Sequence, residues 1–369
     1  MRAPVGGLFR HVLDLSAEQC SRGHEVGIVL DSSTANPLTE QKLAQAAQHL
    51  ALGISRIPMS RFPGVSDTAA CGAVRDIARR KGAHVLHGHG AKGGAYARVA
   101  GKLLKAKGER TVNVYTPHGG SLHFPAGSAQ GLLFIGVEKV LARMTDGLAF
   151  ESDFIRGVYE KRVGQGLAPA RVITNGLQPG DFTAREVKED AADFLFVGEL
   201  RHLKGVDVLL RALAEIAAER PVRAIIVGDG PDRAEFEALA AELGLLGDEP
   251  RVVFTGALPA AKVFSRARCI VVPSRAESLP FIVLEAAAAE LPLIATNVGG
   301  IPEIVAGSDT ALLQPGELTG LTAAMRAFLN DPAEAHARAK RLKSVVAQRF
   351  AISNTTAAVL DFYGDLLAR

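Results

Sequence analysis

Two carboxylates eight residues apart, Glu277 and Glu285, lie in the stretch CIVVPSRAESLPFIVLEAAAAELPLIATNVGGIPEIV. The apolar run from Cys269 to Val272 reads as a buried parallel strand, PSRAES as the loop leaving it, and PFIVLEAAAAE as the helix that follows. One acid therefore sits on a loop and the other inside a helix. Pro280 suits the first helical position, where a missing N–H costs nothing, and the amides around Ser278, Leu279 and Phe281 are left to face an anion. With the helix starting near Pro280, Glu285 lies about 7 Å along its axis at about 1.5 Å per residue. That separates a carboxylate near phosphates from one near a sugar, a spacing that suits a nucleotide sugar.

Cations of the matching kind occur upstream. In VGELRHLKGVD, Arg201 and Lys204 stand three residues apart on a short loop leaving a strand. Beside a helix N-terminus they could neutralise a departing diphosphate, Arg as a planar fork and Lys as a point charge. The chain has no D-x-D pair, which disfavours a metal–carboxylate clamp and predicts a site needing no metal and no cofactor. In VGDGP, Gly228 and Asp229 read either as a donor-binding turn or as a plain tight turn, since a G-x-G without its third glycine is a weak signal. The fingerprint of a dinucleotide dehydrogenase is missing.

The elements that must position these residues alternate between helix and strand along 369 residues, too many for one ordinary core, so two α/β domains are expected. The first spans 1–180, a charged connector 181–192, the second 193–348, and an amphipathic helix over 349–369 could pack back on either domain. Strands HVLHGHG and TVNVYTPHGG end in His/Gly loops, and TDGLAF exits at Glu151, so His87, His89, His118 and Glu151 stand where ligands bind in open α/β sheets. Gly6-Gly7 read as a loop ahead of a helix and the strand HEVGIVL. Only Met1 to Val5 precede them, so the strand that should feed this loop is expected to be missing, through upstream truncation or a misplaced start.

The composition is that of a globular protein, 48% hydrophobic and 22% charged, with no apolar stretch long enough to span a bilayer. Three scattered cysteines give neither metal spacing nor a disulfide pattern, and the N-terminus lacks a signal-peptide core, which favours a reducing cytoplasm. Net charge is +3, but residues 1–180 carry 22 Lys/Arg against 13 Asp/Glu and the remainder 20 against 26. The basic half is either a solvated face or one that approaches anionic lipid or an acidic acceptor. Nucleic acid is disfavoured by 5% aromatics and no Trp.

Together, the Gly6-Gly7 loop with RGHEV, the loop at His118, TNGLQPGDF, VGELRHLKGVDVLLRAL, VGDGP, ESLPFIVLE and TNVGGIPEIV resemble the retaining, nucleotide-sugar-dependent glycosyltransferases of the GT-B fold. The resemblance covers nearly the whole chain. It implies two Rossmann-like domains facing a central cleft, and a nucleotide-diphosphate sugar as donor, UDP being the commonest base. By it Glu285 would bind ribose hydroxyls, Glu277 would sit against the donor sugar, Arg201 and Lys204 would hold the diphosphate, His118 would approach the transferred sugar, and Gly7 would admit the phosphates. Same-face attack by a glycan or lipid-linked acceptor would follow, in cell-surface polysaccharide synthesis at the inner face of a membrane.

The chain departs from the pattern in four places. Glu199 stands where the family usually has Arg, Pro280 where it often has Gly, and Ala289-Glu290 where Cys-Gly is common; the fourth is the missing first strand. A nucleotide-sugar-binding protein without transfer and a GT-B UDP-N-acetylhexosamine epimerase remain as alternatives.

Overall fold

The computed structural model describes residues 1, 2, 4, 6–33, 37–60, 64–123, 127–183 and 186–369. The chain divides into two compact units, Met1–Gly176 with Ile352–Arg369, and Leu177–Ala351. The chain leaves the first unit at Gly176, ahead of the charged segment 181–192, which lies within the second unit apart from residues 184–185, outside the described residues.

Strands β1 (Gly27–Asp31), β2 (Gly53–Ile57), β3 (Val85–His89), β4 (Val112–Thr116), β5 (Gly147–Phe150) and β6 (Ala170–Val172) belong to the first unit. They form two parallel sheets, β1-β2 and β3-β4-β5-β6. Between β1 and β3 lies a cavity of about 560 Å³, lined by residues of both strands and by Val12, Leu15, Tyr96 and Tyr363. The first residues of the chain enter one end of it. The Met1 amino group donates to Val29 O at 2.9 Å, and Asp31 N donates to Arg2 O at 3.3 Å. Burial lowers the pKa of that amino group to about 6.

In the second unit, β7 (Ala192–Val197), β8 (Ala224–Val227), β9 (Val252–Gly256), β10 (Ala267–Val272), β11 (Leu293–Thr296) and β12 (Leu312–Leu313) make one sheet in the order β12-β11-β10-β7-β8-β9. All its pairings are parallel. β7 and β10 are apolar along almost their whole length because both faces are covered, one by a cluster around Phe281, Val283 and Leu342, the other by a cluster around Leu209, Leu213 and Phe236. The helix Val206–Ala217 buries Val206, Leu209, Leu210, Leu213 and Ile216, spacings that recur on one helical face.

The C-terminal helix Ile352–Leu367 belongs to the first unit, where Phe362 and Leu366 join Val112, Val114 and Ala149 in one core. A Cβ on Gly147 would stand 2.5 Å from Leu366 Cδ1, so the helix lies tight against the start of β5. Across the same sheet, Arg98 is wholly buried, bonded to Glu138 at 2.5 and 3.1 Å and stacked 3.9 Å from the centre of the Tyr115 ring. Removing either partner would strand a buried charge.

Candidate functional sites of the two units

In the second unit the strand exits deliver the expected residues to one place. β10 ends at Val272, and the loop after it carries Ser274, Arg275 and Glu277; the loop after β7 carries Glu199, Arg201 and Lys204. Lys204 Nζ donates to Glu277 Oε1 at 2.7 Å, and Ser274 Oγ donates to the same oxygen at 2.7 Å. Glu277 is 8% exposed, so its charge is held by these two donors in place of water. A second link fixes the same loops. Arg275 forms a fork on Asp207 at 2.7 Å to each oxygen and also donates to His202 O at 2.6 Å. Burial pushes the Asp207 carboxyl up, but the Arg275 fork outweighs it and holds the pKa below the usual value.

The glycine pair after β11 closes on this loop. Gly299 has φ 59°, and a Cβ there would lie 2.1 Å from Glu277 O, so only glycine permits the approach. Gly300 N donates to Ser278 O at 2.5 Å. Pro280 is the N-cap of the helix Phe281–Ala288, one position earlier than the sequence reading has it. Its C=O accepts from Val283 N at 3.2 Å, and the amide of Phe281 opens the helix. Ser278 and Glu285 are half-buried and Leu279 is buried.

Glu290 explains one departure from the family pattern. With φ 61° it takes the left-handed position that ends this helix, where Leu291 N bonds Ala286 O at 3.0 Å and Glu290 N bonds Ala287 O at 3.1 Å. Its side chain is held by Lys343 at 3.1 Å.

Arg201 stands apart from the paired core. Half exposed, it lies 3.7 Å from Glu199, the residue that takes the place of the family's usual Arg. Gly228 and Asp229 form a turn built for backbone packing. Gly228 has φ 147°, and a Cβ on it would lie 1.8 Å from Gly198 O; the Asp229 carboxylate accepts from Gly230 N at 2.8 Å.

In the first unit Gly6 and Gly7 are the first two residues of the helix Gly6–Ser21, so the expected loop is instead a helix start. That helix carries a residue the sequence reading missed. His11 is buried against His89 and His118, ring centres 5.3 and 5.2 Å away, and among the described residues its Nδ1 has no hydrogen-bond partner. His89 and His118 share a hydrogen bond at 3.1 Å between Nδ1 and Nε2. His87 is fully engaged, with Tyr363 Oη at 2.5 Å on Nδ1 and Thr116 Oγ1 at 2.8 Å on Nε2. Burial keeps all four imidazoles neutral. His11 falls to about 4 and His87 to about 3, the latter helped by His11 and the N-terminal amine, while His89 and His118 lie well below the ordinary range. His118 has φ 53° and is followed by Gly119 at 73° and Gly120 at 33°, so the loop after β4 holds it in a left-handed turn. Glu151 is buried at the exit of β5, next to Ser152, which caps the following helix through Ile155 N at 3.2 Å.

A signal for His11 exists in the sequence. The buried face of Gly6–Ser21 carries His11, Ser16 and Gln19 beside Phe9, Val12 and Leu15, and polar residues on an apolar stripe call for partners. Arg275 and Asp207 carried no comparable signal, since their pairing depends on two loops 68 residues apart.

Residues 5–180 match the family described as Glycosyltransferase Family 4, and residues 191–331 match Glycosyl transferases group 1. The chain belongs to the GT-B glycosyltransferase family. A glycogen synthase of Mycobacterium tuberculosis is 31% identical over 231 residues, 62% of this chain. The chain spans 56% of that relative's length. A D-inositol 3-phosphate glycosyltransferase of Acidothermus cellulolyticus is 28% identical over 99% of this chain and 86% of its own. Among solved structures, sucrose-phosphate synthase from Thermosynechococcus elongatus matches with TM-score 0.80 at 22% identity, covering 100% of this chain and 95% of that one. Anabaena Alr3699/HepE in complex with UDP and glucose matches with TM-score 0.80 at 20% identity, covering 98% and 96%. These likenesses establish the GT-B fold. Among the described residues no helix is long and apolar enough to cross a membrane.

Proposed function

We propose that the chain transfers a sugar from a nucleoside-diphosphate sugar to a hydroxyl of a glycan or lipid-linked acceptor, with retention at the anomeric carbon and without a metal. The observation that carries this reading is the Lys204–Glu277–Ser274 cluster beside the helix that bears Glu285. A paired Lys is a cation already oriented, and a donor phosphate can draw it from Glu277 while the freed carboxylate accepts from a sugar hydroxyl. Glu285 then takes the ribose and His118 the transferred sugar. A neutral His118 suits that task, because an imidazole without charge can both donate to and accept from hydroxyls. That HepE was solved with UDP and glucose supports UDP-glucose as the first donor to try. A surface-polysaccharide role and an approach to anionic lipid through the basic residues 1–180 extend the same proposal.

The test is a thermal-shift screen of UDP-, GDP- and ADP-sugars, followed by transfer to saccharide acceptors with NMR of the product anomer. A donor at 100 times its dissociation constant adds about 2.7 kcal/mol. No shift with any donor overturns the reading, and an inverted product overturns retention. Tight binding with neither transfer nor donor hydrolysis would instead mark a binding protein, the outcome that Glu199 beside Arg201 favours.

A further inference from the structure

The three histidines His11, His89 and His118 come from the first helix, the end of β3 and the loop after β4, and no part of the proposed transfer needs them as a set. Their ligand nitrogens all lie within 4.8 Å of one another. The ring centres form a nearly equilateral triangle with sides of 5.3, 5.2 and 5.3 Å. Three imidazoles on one tetrahedral ion, with metal–nitrogen bonds of about 2.05 Å, place their ring centres about 5.2 Å apart and their nitrogens about 3.3 Å apart. The His89–His118 pair already stands at 3.1 Å. The two sides to His11 lie within the same 4.8 Å span, and its buried Nδ1 has no partner among the described residues. An orphaned acceptor or donor in an apolar site is costly, and a metal ion would satisfy it.

We infer that His11, His89 and His118 form a three-nitrogen site for a borderline divalent transition metal of the zinc(II) class. His87 is outside the set because both its nitrogens are taken by Tyr363 and Thr116. Those contacts fix its ring 4.0 Å from that of His89, so it braces a ligand without being one. An all-imidazole set selects zinc(II), copper(II) or nickel(II) over magnesium, which prefers oxygen. Three protein ligands leave a fourth position open to water. Metal on the His118 Nε2 that now bonds His89 would fix the ring that the proposed function gives to the sugar, making the ion an inhibitor; that consequence rests on the proposed function, whereas binding does not.

Zinc(II) is titrated into the full chain against a chromophoric chelator, and cobalt(II) is followed in the visible spectrum. The expected result is one ion per chain, intense bands of tetrahedral cobalt, and no competition by magnesium. His11→Gln, which keeps volume and a polar group, should weaken zinc by more than about a hundredfold, beyond the effect usual for a residue that only supports a ligand. Replacing the exposed His24 and His49 with Gln should leave affinity unchanged. Failure to hold zinc against the chelator, only the weak bands of octahedral cobalt, or equal losses in the two variants would each overturn the site. The cobalt spectrum reads the unmodified chain, so a poorly folded His11→Gln leaves the test intact. If zinc binds as expected but donor turnover is unaffected, the site stands and the role given to His118 fails.

Discussion

Both units gather polar side chains at the ends of parallel strands, but they do so with different chemistry. In the second, six strands form one sheet and the chemistry at its edge is made of charges already paired, Lys204 with Glu277 and Arg275 with Asp207. In the first, the strands fall into sheets of two and four with a cavity between, and the chemistry is made of neutral imidazoles packed together. Charge pairs tolerate water at their margins. Stacked neutral histidines depend on its exclusion, so the first unit's site is only as secure as the packing around it.

The largest effect should come from filling the cavity. The cavity has exposed Gly23, His24, Lys81 and Gly82 in its lining and buried Leu15, Leu86 and Tyr96 within, so it is an open apolar space that a strand can enter. Met1 and Arg2 already pair with β1 in the order expected of a parallel neighbour. A five-residue β-branched segment joined ahead of Met1 should therefore continue along β1. Burying its inward side chains, and turning the buried Met1 amino group into a peptide N–H, should stabilise the first unit. Hydrogen exchange should show β1 and β3 gaining protection while β7, β8 and β10 stay as they were. Equal change in both units, or none, would break the contrast.

Acid should separate the units next. His11 and His87 are neutral when folded, with pKa values of about 4 and about 3 against an ordinary 6.5, so below pH 6.5 the unfolded chain binds protons that the folded chain refuses. Stability is then lost as pH falls from 6.5 towards those folded values. At about 1.4 kcal/mol per pH unit, His11 alone removes on the order of 3 kcal/mol by pH 4. Asp207 has the same sense but a lower window, at and below the ordinary carboxylate range. Its depressed pKa gives stability that persists above the ordinary carboxylate range and goes only when pH falls through its folded value. Exchange measured at pH 7, 5.5 and 4.5 should show the first unit loosening while the second holds; simultaneous loss would remove the distinction.

Within the second unit the pairing should divide roles. Glu277→Ala should lower turnover about a hundredfold, as loss of a group that stabilises developing charge does, with nucleotide affinity changed by less than about threefold. Glu285→Ala should do the reverse, weakening nucleotide binding about tenfold, or about 1.4 kcal/mol. Steady-state kinetics with isothermal titration of the nucleoside diphosphate would check both. Equal behaviour of the two variants would sink the division.

The same contrast governs what could be read from the sequence. The strands of the second unit are apolar runs followed by glycine loops, and local pattern alone places Glu277, Lys204 and Glu285 on its edge. Pro280 stands one position from its expected place because a proline fits an N-cap as well as the first helical turn. Gly6 and Gly7 start a helix where a loop is expected, because glycine signals both a turn and a helix start. His11 escaped because its meaning is not local. It becomes a site residue only when β3 and the loop after β4 deliver His89 and His118 to the same helix face, and no spacing in one segment encodes that. The Arg275–Asp207 fork was hidden for the same reason.

The smallest effect concerns the two non-glycine residues with positive φ among those described, one in each unit: His118 at 53° and Glu290 at 61°. Each carries left-handed strain of roughly 1 kcal/mol that glycine would relieve. At Glu290 the residue ends a helix, and its half-exposed pair with Lys343 is worth less than about 1 kcal/mol. Glu290→Gly should thus leave turnover intact and raise stability by about 0.5 kcal/mol in urea denaturation. His118→Gly relieves the same strain but deletes an imidazole that touches both His11 and His89. It should abolish transfer and loosen the first unit. Strain kept at Glu290 is then an accident of helix termination, whereas strain kept at His118 holds a side chain where chemistry needs it; loss of turnover in Glu290→Gly as well would show that the left-handed turn of the second unit serves the reaction too.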